Sequence, residues 1–291
     1  MSAGPTLAVT GSTGRLGGRV ARLLATANMQ QRLVVRNPAR APRLDAAQIA
    51  VAEYGDAGAG RRALDGMRTV FMVSGSETPD RVDKHRAFVD AAAAAGVEHV
   101  VYVSFYGAAA DATFTLARDH WSTEQHIRAS GLRWTFLRDN LYLDFFPAMV
   151  GDDGMIRGPA GSGRVAAVAQ DDIADVAIAI LREPAAHAGQ TYDLTGPKAL
   201  TLTEVADQLS GATESVVGYV PETVEEAYRS RAHYGAPDWQ VDAWVSTYTA
   251  IAAGELEGTS DVVERVAGHP PMGLPELLMA RLHDLRLGLP L

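Results

Sequence analysis

The stretch TLAVTGSTGRLGGRVARLLAT (6–26) determines how the chain folds. Its first five residues predict a short strand (6–10), and Gly11 closes that strand with a turn. From Arg15 to Thr26 the apolar residues recur at the spacing of one helix face, so a helix follows the turn directly. A strand, a glycine turn and a helix in this order are typical of an α/β fold.

The rest of the first half repeats this alternation. Short apolar runs predict five more strands, at 31–36, 49–54, 69–73, 99–105 and 133–138. Helices are predicted between several of them, at 59–66, 80–95 and 117–130. Nearly continuous apolar strands separated by helices indicate a parallel sheet that is covered on both faces, which is a doubly wound α/β fold.

The second half is less regular. A strand at 164–169, a helix at 171–181 and a strand at 190–194 continue the sheet pattern, and four helical segments follow, at 202–209, 224–231, 238–253 and 274–285. We therefore predict two domains. A sheet domain comprises 1–140 with 164–198, and a smaller, mostly helical C-terminal domain comprises 141–163 with 199–291.

Composition excludes several classes of protein. The 291 residues include 35 acidic and 26 basic side chains, eight histidines and no cysteine. The net charge of −9 disfavours nucleic-acid binding, and the missing cysteines exclude disulfides and thiolate chemistry. The histidines lack metal-ligand spacing, so no metal site is expected. No apolar stretch reaches the roughly 18 residues of a membrane span, and no signal-peptide pattern opens the chain, so we expect a cytoplasmic protein without a membrane partner.

Three glycines form a G-x-x-G-x-x-G pattern, Gly11, Gly14 and Gly17, between the first strand and the first helix. Gly11 permits the tight turn, Gly14 lets backbone amides approach a pyrophosphate, and Gly17 lets the helix pack on the sheet. The helix N-terminus offers unpaired N–H groups to phosphates. The sequence therefore predicts a Rossmann sheet that binds a dinucleotide. The predicted contacts are Gly11, Ser12, Thr13, Gly14, Arg15 and Leu16.

The end of the second strand indicates which dinucleotide binds. An NAD site places an acidic residue there for the ribose 2′-hydroxyl, whereas this chain has Arg36, with Arg40 and Arg43 just beyond. A guanidinium pairs well with a 2′-phosphate, so NADP(H) is the predicted cofactor. The alternative is that these arginines form an ordinary solvated loop.

Seven segments carry a resemblance to a known family: AVTGSTGRLG (8–17), LVVRNPAR (33–40), VSGSE (73–77), KHRAFVDAAAAAGVEHVVYVSF (84–105), LARDHWSTEQHIRASGL (116–132), WTFLRDNLYLDFF (134–146) and VERVAGHPP (263–271). They resemble the NmrA-like family of atypical short-chain dehydrogenase/reductases, and within it the branch of quinone oxidoreductase type 2 and triphenylmethane reductase. The resemblance covers nearly the whole chain and is densest up to residue 146. It implies an NAD(P)H-dependent oxidoreductase with a Rossmann domain and a C-terminal substrate-covering domain.

The resemblance also implies two further segments of the cofactor site. Both follow the carboxyl ends of predicted parallel strands, where ligands of such sheets bind. The family commonly has Asn at the position of Asp139, and Asp at the position of Glu53. The implied cofactor contacts are Val73, Ser74, Gly75, Ser76 and Glu77 in one segment, and Asp139, Asn140, Leu141 and Tyr142 in the other.

The usual catalytic pair of the superfamily, Tyr-x-x-x-Lys, is absent. The chain has only two lysines, Lys84 and Lys198, and four residues before them stand Asp80 and Leu194. In the helix that carries the pair in other members, His120 occupies the lysine position. Hydride transfer to a conjugated acceptor remains feasible, because the cofactor supplies the difficult chemistry and the protein supplies position.

Two residues are candidates for a proton donor in place of the missing pair. His120 could donate a proton, or it could be a structural histidine that is hydrogen-bonded within the helix packing. Tyr106, just after the fifth strand, is the second candidate. Planar aromatic substrates suit an apolar lining. The residues predicted to form that lining are Phe105, Tyr142, Phe145 and Phe146.

The leading hypothesis for function is an NADPH-dependent reductase that transfers hydride to a quinone or a similar planar, electron-poor aromatic molecule. Two alternatives stay open: a non-catalytic NmrA-like regulator that senses NADP(H), and a ketoreductase acting on a polycyclic aromatic natural product. The expected partner is a small aromatic substrate, and the resemblance adds the expectation of a homodimer.

Overall fold

The structure is a computed structural model that describes residues 4–45, 47–213 and 215–286. The strands, in chain order, are β1 (Leu7–Thr10), β2 (Gln31–Val35), β3 (Ala47–Val51), β4 (Thr69–Met72), β5 (His99–Phe105), β6 (Arg133–Asp139), β7 (Met155–Gly158), β8 (Arg164–Val165), β9 (Gln190–Leu194), β10 (Leu200–Thr201) and β11 (Gly218–Pro221). The α-helices are α1 (Arg15–Thr26), α2 (Ala57–Leu64), α3 (Arg81–Ala94), α4 (Thr115–Ala129), α5 (Gln170–Arg182), α6 (Leu202–Thr213), α7 (Val224–Arg231), α8 (Asp238–Ala252), α9 (Val262–Ala267) and α10 (Leu274–Arg286).

Seven strands form the main sheet in the order β3-β2-β1-β4-β5-β6-β9. Val9 of β1 pairs in parallel register with Leu33 on one side and with Phe71 on the other. The strand order reverses between β1 and β4, and the crevice at such a reversal is where doubly wound sheets bind their ligands. The predicted doubly wound parallel Rossmann sheet is confirmed.

Burial explains why the strands are apolar. All four residues of β1, in the middle of the sheet, are buried. A core beneath one face joins Leu64 of α2, Phe88 of α3 and Ile127 of α4 to the strands. Strand β3 lies at the sheet edge, and Ile49 is 51% exposed there. This strand was predicted at 49–54 but begins and ends earlier, because an edge strand lacks the continuous apolar pattern of a buried one.

The chain divides into two compact units. The first comprises residues up to 110, 119–138 and 173–192, and the second comprises 111–118, 139–172 and residues from 193 onward. The roles that the sequence assigned to its two domains, NADP binding for 1–140 with 164–198 and substrate covering for 141–163 with 199–291, stay predictions.

The second unit contains small sheets that the sequence did not indicate. Strand β7 pairs in parallel with β11, and β8 pairs antiparallel with β10. Strands of two to four residues are too short for a readable periodicity, so β7, β11 and the six-residue helix α9 were missed. The predicted strand 164–169 is shorter in the structure, where β8 covers Arg164–Val165.

Candidate functional site

The turn between β1 and α1 accepts only glycine at its key positions. Gly11 has φ +66°, and a Cβ atom placed on it would lie 2.8 Å from the Cβ of Val73. A Cβ on Gly17 would collide with the carbonyl oxygen of Gly11. The Gly14 N–H donates to that same carbonyl at 2.9 Å. The turn is therefore tight and packs directly against the residue that follows β4.

Unpaired donors collect where α1 begins. No side chain caps the helix at Gly14, and no acidic residue lies in its first turn. Ser12 is buried, and among the described residues its hydroxyl has no hydrogen-bond partner. An unpaired buried hydroxyl beside the free N–H groups of a helix start is the donor set that a phosphate group satisfies. Thr13 and Arg15 are exposed, whereas Leu16 is buried. These residues fit the pyrophosphate of a dinucleotide.

Arg36 follows β2 directly and is exposed. Within the part of the chain that the structure describes, its guanidinium has no ion-pair partner. Arg40 and Arg43 are also exposed, and the side chain of Asn37 caps the short turn between Arg36 and Arg40 by accepting from the Ala39 N–H at 3.0 Å. The end of β2 thus presents positive charge, and no carboxylate among the described residues pairs with it.

A ring of hydrogen bonds fixes the backbone where β4 ends. The Val73 N–H donates to Thr10 Oγ1 at 2.9 Å, and Tyr54 donates its hydroxyl proton to the Val73 carbonyl at 2.5 Å. Thr10 and Tyr54 are joined at 2.6 Å, with Thr10 as donor because the Tyr54 proton is already used. Burial raises the pKa of Tyr54, so the phenol stays neutral. Both polar groups of the Val73 backbone are therefore held.

Gly75, two residues further on, is held in the same way by α3. Its N–H donates to Nε2 of His85 at 2.8 Å, and its carbonyl accepts from Nε of Arg81 at 3.1 Å. Nδ1 of His85 carries the proton and donates to the Thr123 hydroxyl at 2.9 Å. Burial, with Arg81 nearby, lowers the pKa of His85 to about 3. His85 is thus a neutral, structural histidine. Ser74 and Gly75 are half-buried, and Ser76 and Glu77 are exposed.

His120 is buried, and both of its ring nitrogens are bonded. Arg81 donates to Nε2 at 3.1 Å, so the proton lies on Nδ1, which donates to the Tyr102 hydroxyl at 3.1 Å. Burial, aided by Arg81, holds the pKa of His120 well below its usual value. This geometry favours the structural interpretation of His120 over the role of proton donor. Tyr106 is half-buried immediately after β5, and its role stays a prediction.

A buried carboxylate joins β5, α4 and β6, and sequence reasoning did not find it. Ser104 donates to Oε1 of Glu124 at 2.6 Å. Arg138 holds both carboxylate oxygens, with Nε to Oε1 at 2.8 Å and a second nitrogen to Oε2 at 2.6 Å. Bidentate pairing of this kind fixes the orientation of all three side chains. Residues 104, 124 and 138 are far apart in sequence, so no local pattern could signal the cluster.

The segment after β6 has a different chemistry. Tyr142 donates its hydroxyl proton to Oδ2 of Asp139 at 2.6 Å. Asp139 is 2% exposed, and burial raises its pKa to about 8 although the bond from Tyr142 acts in the opposite direction. Both ends of the Asn140 side-chain amide are bonded within the fold: it donates to the Leu256 carbonyl at 3.0 Å and accepts from the Leu141 N–H at 2.8 Å. Asp139 therefore carries a proton at neutral pH.

The predicted aromatic lining consists of residues with different exposure. Phe105 and Phe146 are buried, Tyr142 is half-buried, and Phe145 is 59% exposed. Phe145 is thus the most exposed member of the set. That the four residues share one substrate stays a prediction.

A cavity of about 500 Å³ lies at the amino ends of the strands of the main sheet, whereas the candidate site lies at their carboxyl ends. Its lining includes Thr6, Arg68 and His99, which stand at or just before the first residues of β1, β4 and β5. Parallel sheets bind their ligands at the carboxyl ends of the strands, so this cavity is not the candidate site.

Comparison with known proteins identifies the family of the chain. A family model described as NAD(P)H-binding matches residues 11–184. The NAD(P)H azoreductase of Xenophilus azovorans is 34% identical over 277 residues, which are 94% of this chain and 96% of that protein. The solved NADPH-dependent quinone oxidoreductase of Escherichia coli, complexed with NADPH, is 31% identical with a TM-score of 0.86 and covers 95% of this chain and 99% of that one. The triphenylmethane reductase of Citrobacter sp., complexed with NADP(H), is 31% identical with a TM-score of 0.84 and covers 94% of this chain and 99% of that one.

The chain belongs to the NAD(P)H-binding family. It is an NAD(P)H-dependent oxidoreductase, as the resemblance in its sequence implied. Among the described residues, no helix combines the length and the apolar character that crossing a membrane requires.

Proposed function

We propose that this oxidoreductase uses NADPH to transfer hydride to a quinone or a similar planar, electron-poor aromatic acceptor. The observation that carries the proposal is the glycine turn with the unpaired Ser12 hydroxyl, together with the unneutralised Arg36 at the end of β2. The azoreductase and the quinone oxidoreductase, which cover more than nine tenths of the chain, support the substrate class.

The chain's residues divide the binding of the cofactor among them. The Ser12 hydroxyl and the backbone N–H groups of the turn, other than that of Gly14, which already donates to the Gly11 carbonyl, would hold the pyrophosphate, and Arg36 would pair with the 2′-phosphate. The segments 73–77 and 139–142, each with its backbone already fixed by hydrogen bonds, would contact the rest of the dinucleotide. When bound, the reduced nicotinamide supplies the hydride.

The kind of acceptor follows from what the chain lacks. Both lysines are engaged by carboxylates, Lys84 with Asp80 at 2.9 Å and Lys198 with Glu204 at 3.5 Å. Neither lysine therefore assists a tyrosine in protonating an ordinary ketone. A conjugated ring spreads the electron pair that it receives, so it depends less on a strong acid. Flat rings also match the exposed face of Phe145.

The direct test mixes the purified protein with NADPH and follows the near-ultraviolet absorbance of the cofactor against quinones, azo dyes, triarylmethane dyes and aromatic ketones. We expect oxidation with quinones and dyes and slow or no oxidation with ketones. Tight NADPH binding without oxidation by any acceptor would reject the proposal in favour of a sensor. Oxidation with polycyclic ketones alone would favour the ketoreductase.

A variant tests the choice of cofactor. Arg36→Asp replaces a charge-assisted pair with repulsion, so we expect the Kd for NADPH to rise by roughly 10- to 100-fold, which corresponds to about 1.4–2.8 kcal/mol. The Kd for NADH should change less than about threefold, since NADH has no 2′-phosphate. Arg61→Asp on the exposed side of α2 is the matched control for the change in net charge. Equal losses for both cofactors in Arg36→Asp would contradict the assignment.

A further inference from the structure

Asp139 and Tyr142 form a hydrogen-bonded pair that could transfer a proton, and the proposed hydride transfer does not use it. The two side chains are joined at 2.6 Å between the phenol oxygen and Oδ2. Asp139 is buried and Tyr142 is half-buried, so the tyrosine is the more exposed member of the pair. A buried carboxyl group that is hydrogen-bonded to a more exposed phenol can pass a proton outward.

The backbone on both sides of the pair is held in place. The Asn140 N–H donates to the Leu194 carbonyl at 3.0 Å. Tyr142 forms a β-bridge with Val168, flanked by bonds from the Val168 N–H to the Leu141 carbonyl at 2.9 Å and from the Leu143 N–H to the Val168 carbonyl at 3.0 Å. A phenol on a backbone fixed at both neighbours keeps its orientation, as a group that donates a proton must.

The charged groups on neighbouring elements do not set the ionisation of Asp139. Arg138, the preceding residue of β6, is bonded to Glu124. On the following turn Asp144 accepts from Arg281 at 3.1 Å and from the Gln170 N–H at 2.9 Å. At the start of α5 Asp172 accepts from the Met272 N–H at 2.8 Å. The pKa of Asp139 is raised by burial to about 8 and is opposed only by hydrogen bonds from Tyr142 and its own backbone.

We propose that Tyr142 is the proton donor to the oxygen of a quinone-type acceptor and that Asp139 restores the phenol proton. This proposal rests on the proposed function and deepens it. It replaces His120, whose two ring nitrogens are occupied within the fold. The location is consistent with the role, because Asp139 is the last residue of β6 and Tyr142 follows three residues later, at the carboxyl end of the strand.

Hydride from NADPH brings two electrons to the acceptor ring, and the electron pair of a conjugated C=O bond moves onto its oxygen. When the acceptor binds, the Tyr142 hydroxyl turns from Oδ2 of Asp139 to that oxygen, which forms an O–H bond with the Tyr142 proton as the phenol O–H bond breaks. The Asp139 O–H bond then breaks, and its proton passes to the phenol oxygen across the 2.6 Å contact. Water returns a proton to the Asp139 carboxylate.

Two kinds of acceptor distinguish proton donation from hydride transfer. A quinone needs both, whereas a cationic triarylmethane dye becomes neutral on receiving hydride and needs no proton. We therefore expect Tyr142→Phe to lower the ratio of quinone kcat to dye kcat at least about tenfold, the lower end of what a positioned acid or base contributes. Tyr228 and Asp242 form the same kind of bond at 2.7 Å on the surface of the same unit. Tyr228→Phe is the matched control and should keep the ratio.

Asp139→Asn supplies the second readout, since the amide keeps the bond to Tyr142 but has no acidic proton. In the wild-type protein Asp139 is protonated below about pH 8. Quinone kcat should therefore fall as the pH rises through about 8, while dye kcat should not. In Asp139→Asn the quinone kcat should be low and should not show this fall as the pH rises.

Any of four results would overturn the proposal. An equal loss with both acceptors in Tyr142→Phe would show that Tyr142 only binds cofactor or substrate. If the quinone kcat of Asp139→Asn still fell near pH 8, the ionisation would belong to another group. If the wild-type protein oxidised NADPH with none of the acceptors tested, the proposed function and this proposal would both be rejected. If the wild type turned over and Tyr142→Phe kept the same ratio of quinone kcat to dye kcat, this proposal alone would be rejected.

Discussion

The segments that follow β4 and β6 are built from similar parts and reach opposite chemical states. After β4, a buried His85 accepts from the Gly75 backbone and has its other nitrogen bonded to Thr123. After β6, a buried Asp139 accepts from Tyr142, which is half-buried. The first arrangement only positions backbone, whereas the second keeps a proton that it can give away.

One physical cause explains both states. Burial penalises the charged form of any group, so it lowers the pKa of a base and raises the pKa of an acid. It lowers the pKa of His85 to about 3 and raises that of Asp139 to about 8. At neutral pH His85 is far from its pKa and cannot exchange a proton usefully, while Asp139 is close to its pKa. Burial of a titratable residue is therefore not evidence of catalysis until its direction and its partners are known.

The largest expected effect is on stability at the β6 end. The folded pKa of Asp139 is about 8, above the usual value for an unfolded chain. Below about pH 4 both states hold the proton, but as the pH rises towards 8 only the unfolded state loses it, so the wild type loses up to about 1.4 kcal/mol of unfolding free energy per pH unit. Asp139→Asn removes this slope. Urea denaturation should show the variant gaining on the order of 4 kcal/mol relative to wild type between pH 4 and 8.

Asp242→Asn is the control for this measurement, because Asp242 accepts from a tyrosine but is exposed. Its difference from wild type should stay nearly constant over the same pH range. A constant difference for Asp139→Asn as well would show that Asp139 is ionised in the folded protein and would remove the contrast between the two segments.

A smaller effect is expected at the β4 end. His85→Ala removes the bonds to Gly75 and Thr123 and leaves a cavity, so we expect a loss of about 2–4 kcal/mol of unfolding free energy. Because Gly75 loses its anchor, the Kd for NADPH should rise about tenfold in a fluorescence titration. His126, which is bonded to Asp90 near the surface of α4, is the control. His126→Ala should cost less than about 0.5 kcal/mol and leave the Kd unchanged. Unchanged NADPH binding in a folded His85→Ala would show that Gly75 needs no anchor.

The smallest expected effect concerns the contact between the glycine turn and the β4 end. Gly11→Ala meets the Cβ of Val73 and also strains a backbone at φ +66°. Gly96→Ala, at φ +81° with nothing within 4 Å, has the same kind of strain without the clash. We expect about 1 kcal/mol of destabilisation in the control and roughly 1–3 kcal/mol more in Gly11→Ala. Only Gly11→Ala should weaken NADPH binding. Equal results in the two variants would mean that the Val73 contact relaxes freely.

Much of the fold could be predicted because its signals are local. The first helix matches its prediction, Arg15 to Thr26, since periodicity and the glycine turn both lie within a few residues. Strand β5 likewise matches the run 99–105. Strands β7, β10 and β11 were missed, as was the pairing of β8 with β10, because pairing of such short strands depends on residues distant in the chain.

The sequence by itself determined the parallel sheet, the dinucleotide turn, the family and the absence of a Tyr-x-x-x-Lys pair, because these depend on residue type and spacing. Only the tertiary structure decided which polar groups are neutral, which are held and which keep a proton. The ring around Val73, the two bonded nitrogens of His120 and the proton on Asp139 all arise from burial and from partners that the fold brings together. Desolvation and hydrogen bonding act through space, so no spacing along the chain encodes them.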